Sequence, residues 1–507
     1  MKKQTVAQGA LILLIAGFIN RVLGMVGRIV LTRYLGDDGV GLYMLIAPTM
    51  MLLMTLASIG LPIAIPTLIS RSNVRQKRIL SASFIIAMVC STLITIVLIF
   101  TAKHIAIYLL KDERTYLPLL SIGPLLFAVS MSSILKGYFQ GKQNMYPTAI
   151  STFIEQLVRI ALSVIFIVWL LPHGLVYAVV GTIWASFFGE IASIIILLVM
   201  FLTSLRHQHT SASLKPVPLE RHHFKDILAI SLPATGSRLI GSFSHFLEPI
   251  LVVNCLFVLG YSSEVSAKLY GAVAGFALPL LLMPTFITFA ISQAIIPVIS
   301  KAYARGHYER IHEQLSMALR LSFLPAGIAT VLFMLFPYEL MNLLFDTDSG
   351  AQYLQIMAPI FFLLYFQGIL TSVLQAINKA NKAMLTTLIS SILKLILMTF
   401  LLQIPEINIY GLVIAILFNI VLTTGWNYWI IRHEVGYCVK ASSVILAFLC
   451  LGITYLSGAI LLQNVTLPYS QLLNLLAYSC GLGVLYLLLV KLTRLLPSKQ
   501  VSQLLKR

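Results

Sequence analysis

Ten charged side chains lie inside long apolar stretches of this 507-residue sequence. An ionisable group in a membrane span costs at least ~2.5 kcal/mol by insertion scales, so each such residue indicates a function. The basic residues are Arg21, Arg28, Lys136, Arg159, Arg238, Arg320 and Lys394. The acidic ones are Glu155, Glu190 and Glu248. This excess predicts a cationic interior, unless Lys136 and Arg320, near the cytoplasmic ends of their segments, extend to the membrane interface.

The first apolar segment carries the clearest pattern. Gly17, Arg21, Gly24 and Arg28 follow one another at helical spacing, so they share one helix face. Two arginines flanked by glycines predict an open, positively charged stripe that binds substrate. The glycines by themselves are equally compatible with tight helix packing.

The seventh segment repeats that pattern with Arg238, Gly241, His245 and Glu248 on one face. The internal repeat aligns His245 with Arg28. An imidazole titrates near neutral pH, so His245 is a candidate proton-sensitive group in the substrate cavity. A hydrogen-bonded interior histidine is the alternative, and the sequence leaves both open.

The fifth and sixth segments contribute the remaining candidates. Glu155 and Arg159 are four residues apart and suit a local salt bridge. Alternatively, Glu155 pairs with Lys394, its counterpart in the repeat, across a central cleft. Glu190 has no obvious partner and suits neutralisation by a proton. We therefore expect Arg159 and Lys394 to line the cavity, and Glu155, Glu190 and Glu248 to act in coupling or gating.

Composition indicates a multi-pass membrane protein, since 59% of residues are hydrophobic and 10% are charged, against roughly 25% charged in soluble domains. A membrane-spanning helix needs about 20 apolar residues. We predict an all-α fold with fourteen spans, at 8–31, 42–69, 80–102, 117–139, 147–170, 175–203, 227–258, 268–299, 317–336, 353–376, 383–403, 410–431, 441–462 and 469–490. Pro249, Pro279 and Pro284 are candidate kinks in the two long spans.

An internal repeat organises these spans. Residues 20–24, NRVLG, return as residues 237–241, SRLIG, and residues 135–151 return in register as 374–390. Six spans per half is an even number, so the halves run in the same direction. We predict two pseudo-symmetric six-helix lobes and two extra helices. Their bounds are 1–205 for the N-terminal lobe, 206–226 for a cytoplasmic linker, 227–432 for the C-terminal lobe, and 433–507 for helices 13 and 14 with a cytoplasmic tail.

The basic residues also predict orientation. With the N-terminus inside, only five of the 35 lysines and arginines fall in outside loops: Arg33, Lys103, Lys111, Arg114 and Lys268. Cytoplasmic loops carry the excess of basic residues in membrane proteins. Both termini are therefore expected in the cytoplasm.

Several function classes are disfavoured. The net charge of +18 lies in short loops between apolar runs, which argues against nucleic acid. The glycine-containing stretch 137–142 departs from the phosphate-binding loop pattern, and the five cysteines lack metal-site spacing. No nucleophile–base pairing is visible, so we expect neither an enzyme nor a cofactor. Coupling to protons, sodium or the membrane potential stays open.

Three stretches resemble one known family. The runs at 20–43, 136–160 and 231–250 resemble the stage V sporulation protein B-like polysaccharide flippases. These belong to the MOP exporter superfamily, with the MATE exporters and the MurJ lipid II flippases. The MurJ-like proteins carry essential arginines on helix one; Arg21 matches the first, and Arg28 is displaced by one residue from the second. They also carry an arginine on helix two, where this chain has apolar residues after Pro48.

The resemblance implies a two-lobed protein that alternates between inward-open and outward-open states. Its substrate would be an undecaprenyl-pyrophosphate-linked sugar such as lipid II, in sporulating relatives for spore cortex. A pyrophosphate suits arginines in a low-dielectric cavity. The expected partners are the lipid-linked oligosaccharide, the bilayer and candidate cell-wall synthesis proteins, with the chain itself a monomer. The alternatives are a MATE-like exporter of small cations and a non-transporting cell-wall scaffold.

Overall fold

The computed structural model describes residues 6–71, 76–207, 221–464 and 471–493, and within these ranges its regular structure is helical throughout. The prediction of an all-α membrane fold is confirmed. By packing, the chain divides into two compact units, residues 1–271 and residues 272–507. The first unit contains eight α-helices: α1 Val6–Ser58, α2 Leu61–Arg71, α3 Gln76–His104, α4 Tyr116–Gly141, α5 Tyr146–Leu170, α6 Leu175–His207, α7 Arg221–Val258 and α8 Ser263–Gly271.

Helix α1 is two helices joined at a sharp kink. A straight helix of its 53 residues would be about 80 Å long, far more than the ~30 Å hydrocarbon core of a bilayer. Gly36 interrupts it with φ 63° and ψ −179°, a conformation open in practice only to glycine. The kink therefore separates the first two predicted spans.

The second unit begins with a π-helix, Ala272–Ala277. It continues through α9 Leu278–Leu282, α10 Thr285–Ala304, α11 Tyr308–Leu335, α12 Pro337–Phe345, α13 Ala351–Ala376, α14 Ala380–Leu402, α15 Tyr410–Val435, α16 Ala441–Asn464 and α17 Gln471–Leu492. Its core contains two large buried phenols. The hydroxyl of Tyr365 donates to Leu281 O at 2.8 Å, and that of Tyr486 donates to Phe323 O at 2.9 Å. Tyr486 thus ties α17 to α11.

Fourteen described segments are long and apolar enough to cross a membrane. The number matches the prediction, but the boundaries differ in two places. The first two predicted spans fall within one apolar segment, Ile15–Ser70, which contains the kink at Gly36, and the eighth is divided into Ser263–Leu282 and Thr285–Ala304. The break falls at Pro284, as expected of a residue that cannot continue a helix, whereas α7 runs through Pro249 without interruption.

Helices α7 and α8 pack within the first unit, although the sequence repeat assigns them to the second half. The hydroxyls of Thr55 and Ser242 share a 3.2 Å hydrogen bond that joins α1 to α7. Gly41 and Gly271 allow the backbones of α1 and α8 to come into direct contact. The predicted lobe boundaries were placed by the sequence repeat, and the packing units do not test that repeat. The boundaries therefore stay a prediction.

Candidate functional site

A cavity of about 260 Å³ lies inside the first unit, among α1, α4, α5 and α6. Two of the predicted arginines and one predicted glutamate line it: Arg28, Arg159 and Glu190. Its uncharged polar lining comprises Tyr43, Gln156, Ser163, Thr182 and Ser186. The structure therefore gathers charges from three helices around one space, and the role of these residues in binding substrate stays a prediction.

Arg28 enters this cavity from the first arm of α1. Its Nη2 donates to Met44 Sδ at 3.0 Å, on the other side of the kink. The phenols of Tyr43 and the buried Tyr270 lie within electrostatic reach of the guanidinium. The guanidinium therefore lies among the thioether of Met44 and two phenols at the wall of the cavity.

Arg159 and Glu190 come together because α5 and α6 approach closely. A Cβ on Gly189 would stand 2.9 Å from Glu155 O and 3.2 Å from Arg159 Cβ, so only glycine permits this separation. The neighbouring residue, Glu190, is thereby brought beside the charge of Arg159. Within the described residues, Glu190 Oε2 is buried without a hydrogen bond.

Glu155 pairs with Lys136. The two partners predicted for Glu155 were Arg159 and Lys394. Lys136 Nζ lies 2.8 Å from Glu155 Oε2 and 3.8 Å from Glu190 Oε2. Lys136 therefore does not follow the alternative of extending to the membrane interface, because the carboxylates of Glu155 and Glu190 hold its ammonium inside the protein. The local Glu155–Arg159 salt bridge is likewise absent from the described ion pairs, since Arg159 turns to the cavity.

The remaining predicted residues occupy several environments. Arg21 and Arg238 are exposed, on α1 and α7. Glu248 is buried close to Tyr270, and the exposed His245 lies one turn away with its Nδ1 3.6 Å from Glu248 Oε2. Lys394 is buried in α14 of the second unit. The structure thus groups Arg28, Arg159 and Glu190 in one cavity and keeps Arg21, Arg238 and His245 on exposed helix faces of the first unit.

Sequence reasoning missed part of this site. Lys136 was not expected as the partner of Glu155 and Glu190, and Tyr43, Gln156 and Thr182 carried no periodic signal of their own. Their common feature is a polar side chain within an apolar span, a signal too frequent to select them. Only the packing of α1 against α5 and α6 distinguishes them from other interior hydroxyl and amide groups.

The arrangement is suited to binding an anion. Two guanidiniums can each donate paired hydrogen bonds to phosphate oxygens, and the surrounding hydroxyls and the amide supply further donors. The volume is slightly below the usual ~300–1,000 Å³ of pockets for drug-sized ligands. The cavity therefore accommodates a charged group of a larger molecule and not the whole of it.

Comparison with known proteins agrees with this architecture. A family model described as polysaccharide biosynthesis protein matches residues 6–303, and a MatE model matches residues 249–400. Stage V sporulation protein B of Bacillus subtilis (strain 168) is 36% identical over 509 residues, covering 99% of this chain and 98% of that protein. The chain belongs to the polysaccharide biosynthesis protein family. Within it, the chain is a stage V sporulation protein B-like member of the MOP superfamily, as the sequence resemblance predicts.

Solved structures share the fold of this family member at low sequence identity. The lipid II flippase MurJ in an inward closed conformation has a TM-score of 0.70 and 14% identity, covering 93% of this chain and 97% of that one. An inward-facing multidrug resistance MATE family transporter of the MOP superfamily has a TM-score of 0.67 and 16% identity, covering 82% and 94%. This polysaccharide biosynthesis family protein is therefore a multi-pass membrane protein with a transporter fold.

Proposed function

We propose that this protein is a flippase for an undecaprenyl-pyrophosphate-linked sugar of the lipid II type, and that it works by alternating access. The observation that carries the proposal is the meeting of Arg28 and Arg159, from two helices, in one 260 Å³ cavity. A pyrophosphate needs paired donors in a site shielded from water, where charge-assisted hydrogen bonds are stronger. A role in making spore cortex or cell wall is the biological setting we propose.

In this mechanism the two arginines hold the pyrophosphate while the polyprenyl chain stays in lipid. The small cavity volume supports recognition of the phosphates alone, with the sugar outside it. Arg21 and Arg238 lie on exposed faces of α1 and α7, where we propose that they first attract the anionic headgroup. Glu190, beside Arg159 and Lys136, is our candidate for the coupling group, since its negative charge repels the bound phosphates.

The test is leaflet-resolved accessibility of lipid II in cells whose only candidate flippase is this protein. Expression should bring lipid II to the outer leaflet. Arg28→Gln/Arg159→Gln should abolish the appearance of lipid II in the outer leaflet. Arg28→Lys and Arg159→Lys, each made alone, should slow flipping by roughly 10-fold or more, because lysine cannot make the bidentate hydrogen bonds of arginine. Arg305→Gln/Arg310→Gln removes two exposed cations that do not line the cavity and should leave flipping unchanged.

The alternatives give different results. A scaffold would support growth with the double cavity variant as well as with the wild type. A cation exporter would not move lipid II at all, although it could confer resistance to organic cations. If the inserted, folded wild type leaves lipid II inside, the proposed substrate is wrong.

A further inference from the structure

A second, larger cavity lies wholly within the second unit, between α11, α13, α15 and α16. Its volume is about 470 Å³. Most of its wall is apolar, from Leu319, Phe323, Phe362, Leu363, Phe366, Leu370, Val421, Val444, Ala447 and Phe448. A space of this size and lining suits an acyl chain.

The polar end of this cavity is positively charged. Arg320 and Lys440 both line it, no aspartate or glutamate does, and neither cation belongs to an ion pair among the described residues. The cavity wall thus combines apolar surface with two cations that form no ion pair with any carboxylate of the described residues. This combination complements an amphiphile with an anionic head.

Three hydrogen bonds hold the connection between α15 and α16 at this end. His312 Nε2 lies 2.6 Å from Val435 O and must donate, since a carbonyl only accepts. The hydroxyls of Ser316 and Tyr437 are 3.0 Å apart, and Val439 N–H donates to the Tyr428 hydroxyl at 3.1 Å. Lys440 follows directly on this tethered segment, so its backbone is held at the rim of the cavity.

The tethering phenols also provide donors. Tyr428 accepts from Val439 N–H, and the hydrogen of its own hydroxyl has no acceptor among the described residues. Burial raises the pKa of the Tyr437 phenol above its ordinary value, although Ser316 and Arg320 act in the opposite direction. The Tyr437 phenol is therefore protonated at physiological pH, and a phenol O–H can donate to a phosphate oxygen.

We propose that this cavity is a binding site for an acidic phospholipid of the phosphatidylglycerol class. Its phosphodiester would lie between Arg320 and Lys440, near the Tyr428 hydroxyl, and one acyl chain would fill the apolar part. The lipid would join α16 to the body of the second unit. This site is independent of the proposed transport function, because none of its residues lines the cavity of the first unit.

The test measures retention of radiolabelled phosphatidylglycerol and phosphatidylethanolamine, with matched acyl chains, on the purified full-length protein in mild detergent. The wild type should bind phosphatidylglycerol in preference. Arg320→Gln/Lys440→Gln should raise its Kd by on the order of 10-fold or more, since it removes both cations that would bind the phosphodiester. Arg305→Gln/Arg310→Gln, at exposed positions outside the cavity, should leave the Kd unchanged.

A steric variant tests the apolar part without changing charge. Gly425 lines the cavity, and a Cβ placed on it meets nothing within 4 Å, so Gly425→Leu adds bulk inside the acyl-chain space. It should weaken binding by a similar factor. Gly452→Leu is the matched control, since Gly452 has equally open surroundings but does not line the cavity.

Three results would overturn the proposal. The first is equal binding of the two phospholipids. The second is unchanged phosphatidylglycerol binding in both cavity variants, with thermal unfolding showing that they are folded. The third is displacement of phosphatidylglycerol by undecaprenyl phosphate at a lower concentration than by unlabelled phosphatidylglycerol, which would assign the cavity to a polyprenyl chain.

Discussion

The Nζ atom of Lys136 lies 2.8 Å from Glu155 Oε2, and this ion pair joins α4 to α5 beside the first-unit cavity. The same ammonium is 3.8 Å from Glu190 Oε2. One cation therefore serves two carboxylates, and the protein encloses most of all three side chains, which are 19%, 11% and 13% exposed. Removing Lys136 leaves two carboxylates of like charge near each other. Removing one carboxylate leaves Lys136 paired with the other.

Lys136→Met should therefore destabilise the protein strongly. Loss of one partner of a buried pair costs about 3–5 kcal/mol, because the remaining charge stays buried without compensation. Thermal unfolding of the purified protein measures the effect. Lys136→Met/Glu155→Leu should recover much of the loss, since it removes both members of the pair.

Lys268→Met is the matched control for that experiment. Lys268 lies 3.6 Å from Asp38, and both side chains are about half exposed (51% and 47%). An exposed pair contributes only ~0–1 kcal/mol. Equal destabilisation by Lys136→Met and Lys268→Met would mean that the Lys136 ion pair contributes no more to stability than an exposed pair.

Glu190→Gln should make the flipping rate insensitive to a proton gradient. Lys136, Glu155 and Arg159 surround this carboxylate, and Glu190 lines the cavity that we assign to the pyrophosphate. In proteoliposomes, an imposed pH gradient should change the flipping rate of the wild type and leave that of Glu190→Gln unaffected. Glu264→Gln, at an exposed carboxylate, should respond like the wild type.

This prediction fails in two ways that differ in meaning. A wild type that ignores the pH gradient excludes proton coupling, and the remaining candidates are sodium and the membrane potential. If Glu190→Gln responds like the wild type, another residue binds the coupling proton, and Glu155 and Glu248 are the next to test.

Two glycines of α1 should respond oppositely to substitution. Gly24 lines the cavity, and a Cβ there meets nothing within 4 Å, so Gly24→Leu should fold normally and block substrate entry. A Cβ on Gly41 would stand 2.7 Å from Ala267 O, so Gly41→Ala should destabilise the protein by about 1–3 kcal/mol through overpacking. Thermal unfolding and the lipid II assay together distinguish the two effects; a stable Gly41→Ala would contradict the close packing of α1 against α8.

The cytoplasmic location of both termini remains a prediction from the basic residues, and Cys438 offers a native probe of it. Cys438 is exposed in the connection between α15 and α16, which the predicted topology assigns to the cytoplasm. With Cys480 replaced by Ser, a membrane-impermeant maleimide should label Cys438 in opened vesicles and not in intact cells. Tyr338→Cys, at an exposed site in a predicted outside loop, should be labelled in intact cells; the reverse pattern would invert the topology.

The class of this protein follows from local sequence features. Its apolar runs, its repeat and the motif around Arg21 were sufficient for the membrane fold and the family, because hydrophobic length and local motifs are properties of consecutive residues. Helical spacing also identified charged faces on α1 and α7. The same local logic located Arg28, Arg159 and Glu190 as unusual, without indicating that they meet.

Only the tertiary structure decided which charges are neighbours. Lys136 pairs with Glu155 and Glu190 because α4, α5 and α6 converge, and Gly189 permits that approach. Helix α8 packs against α1 for the same kind of reason, through the contact of Gly41 with Gly271. Such contacts join residues far apart in the chain and depend on how helix surfaces fit, and periodicity within one segment carries no information about that fit.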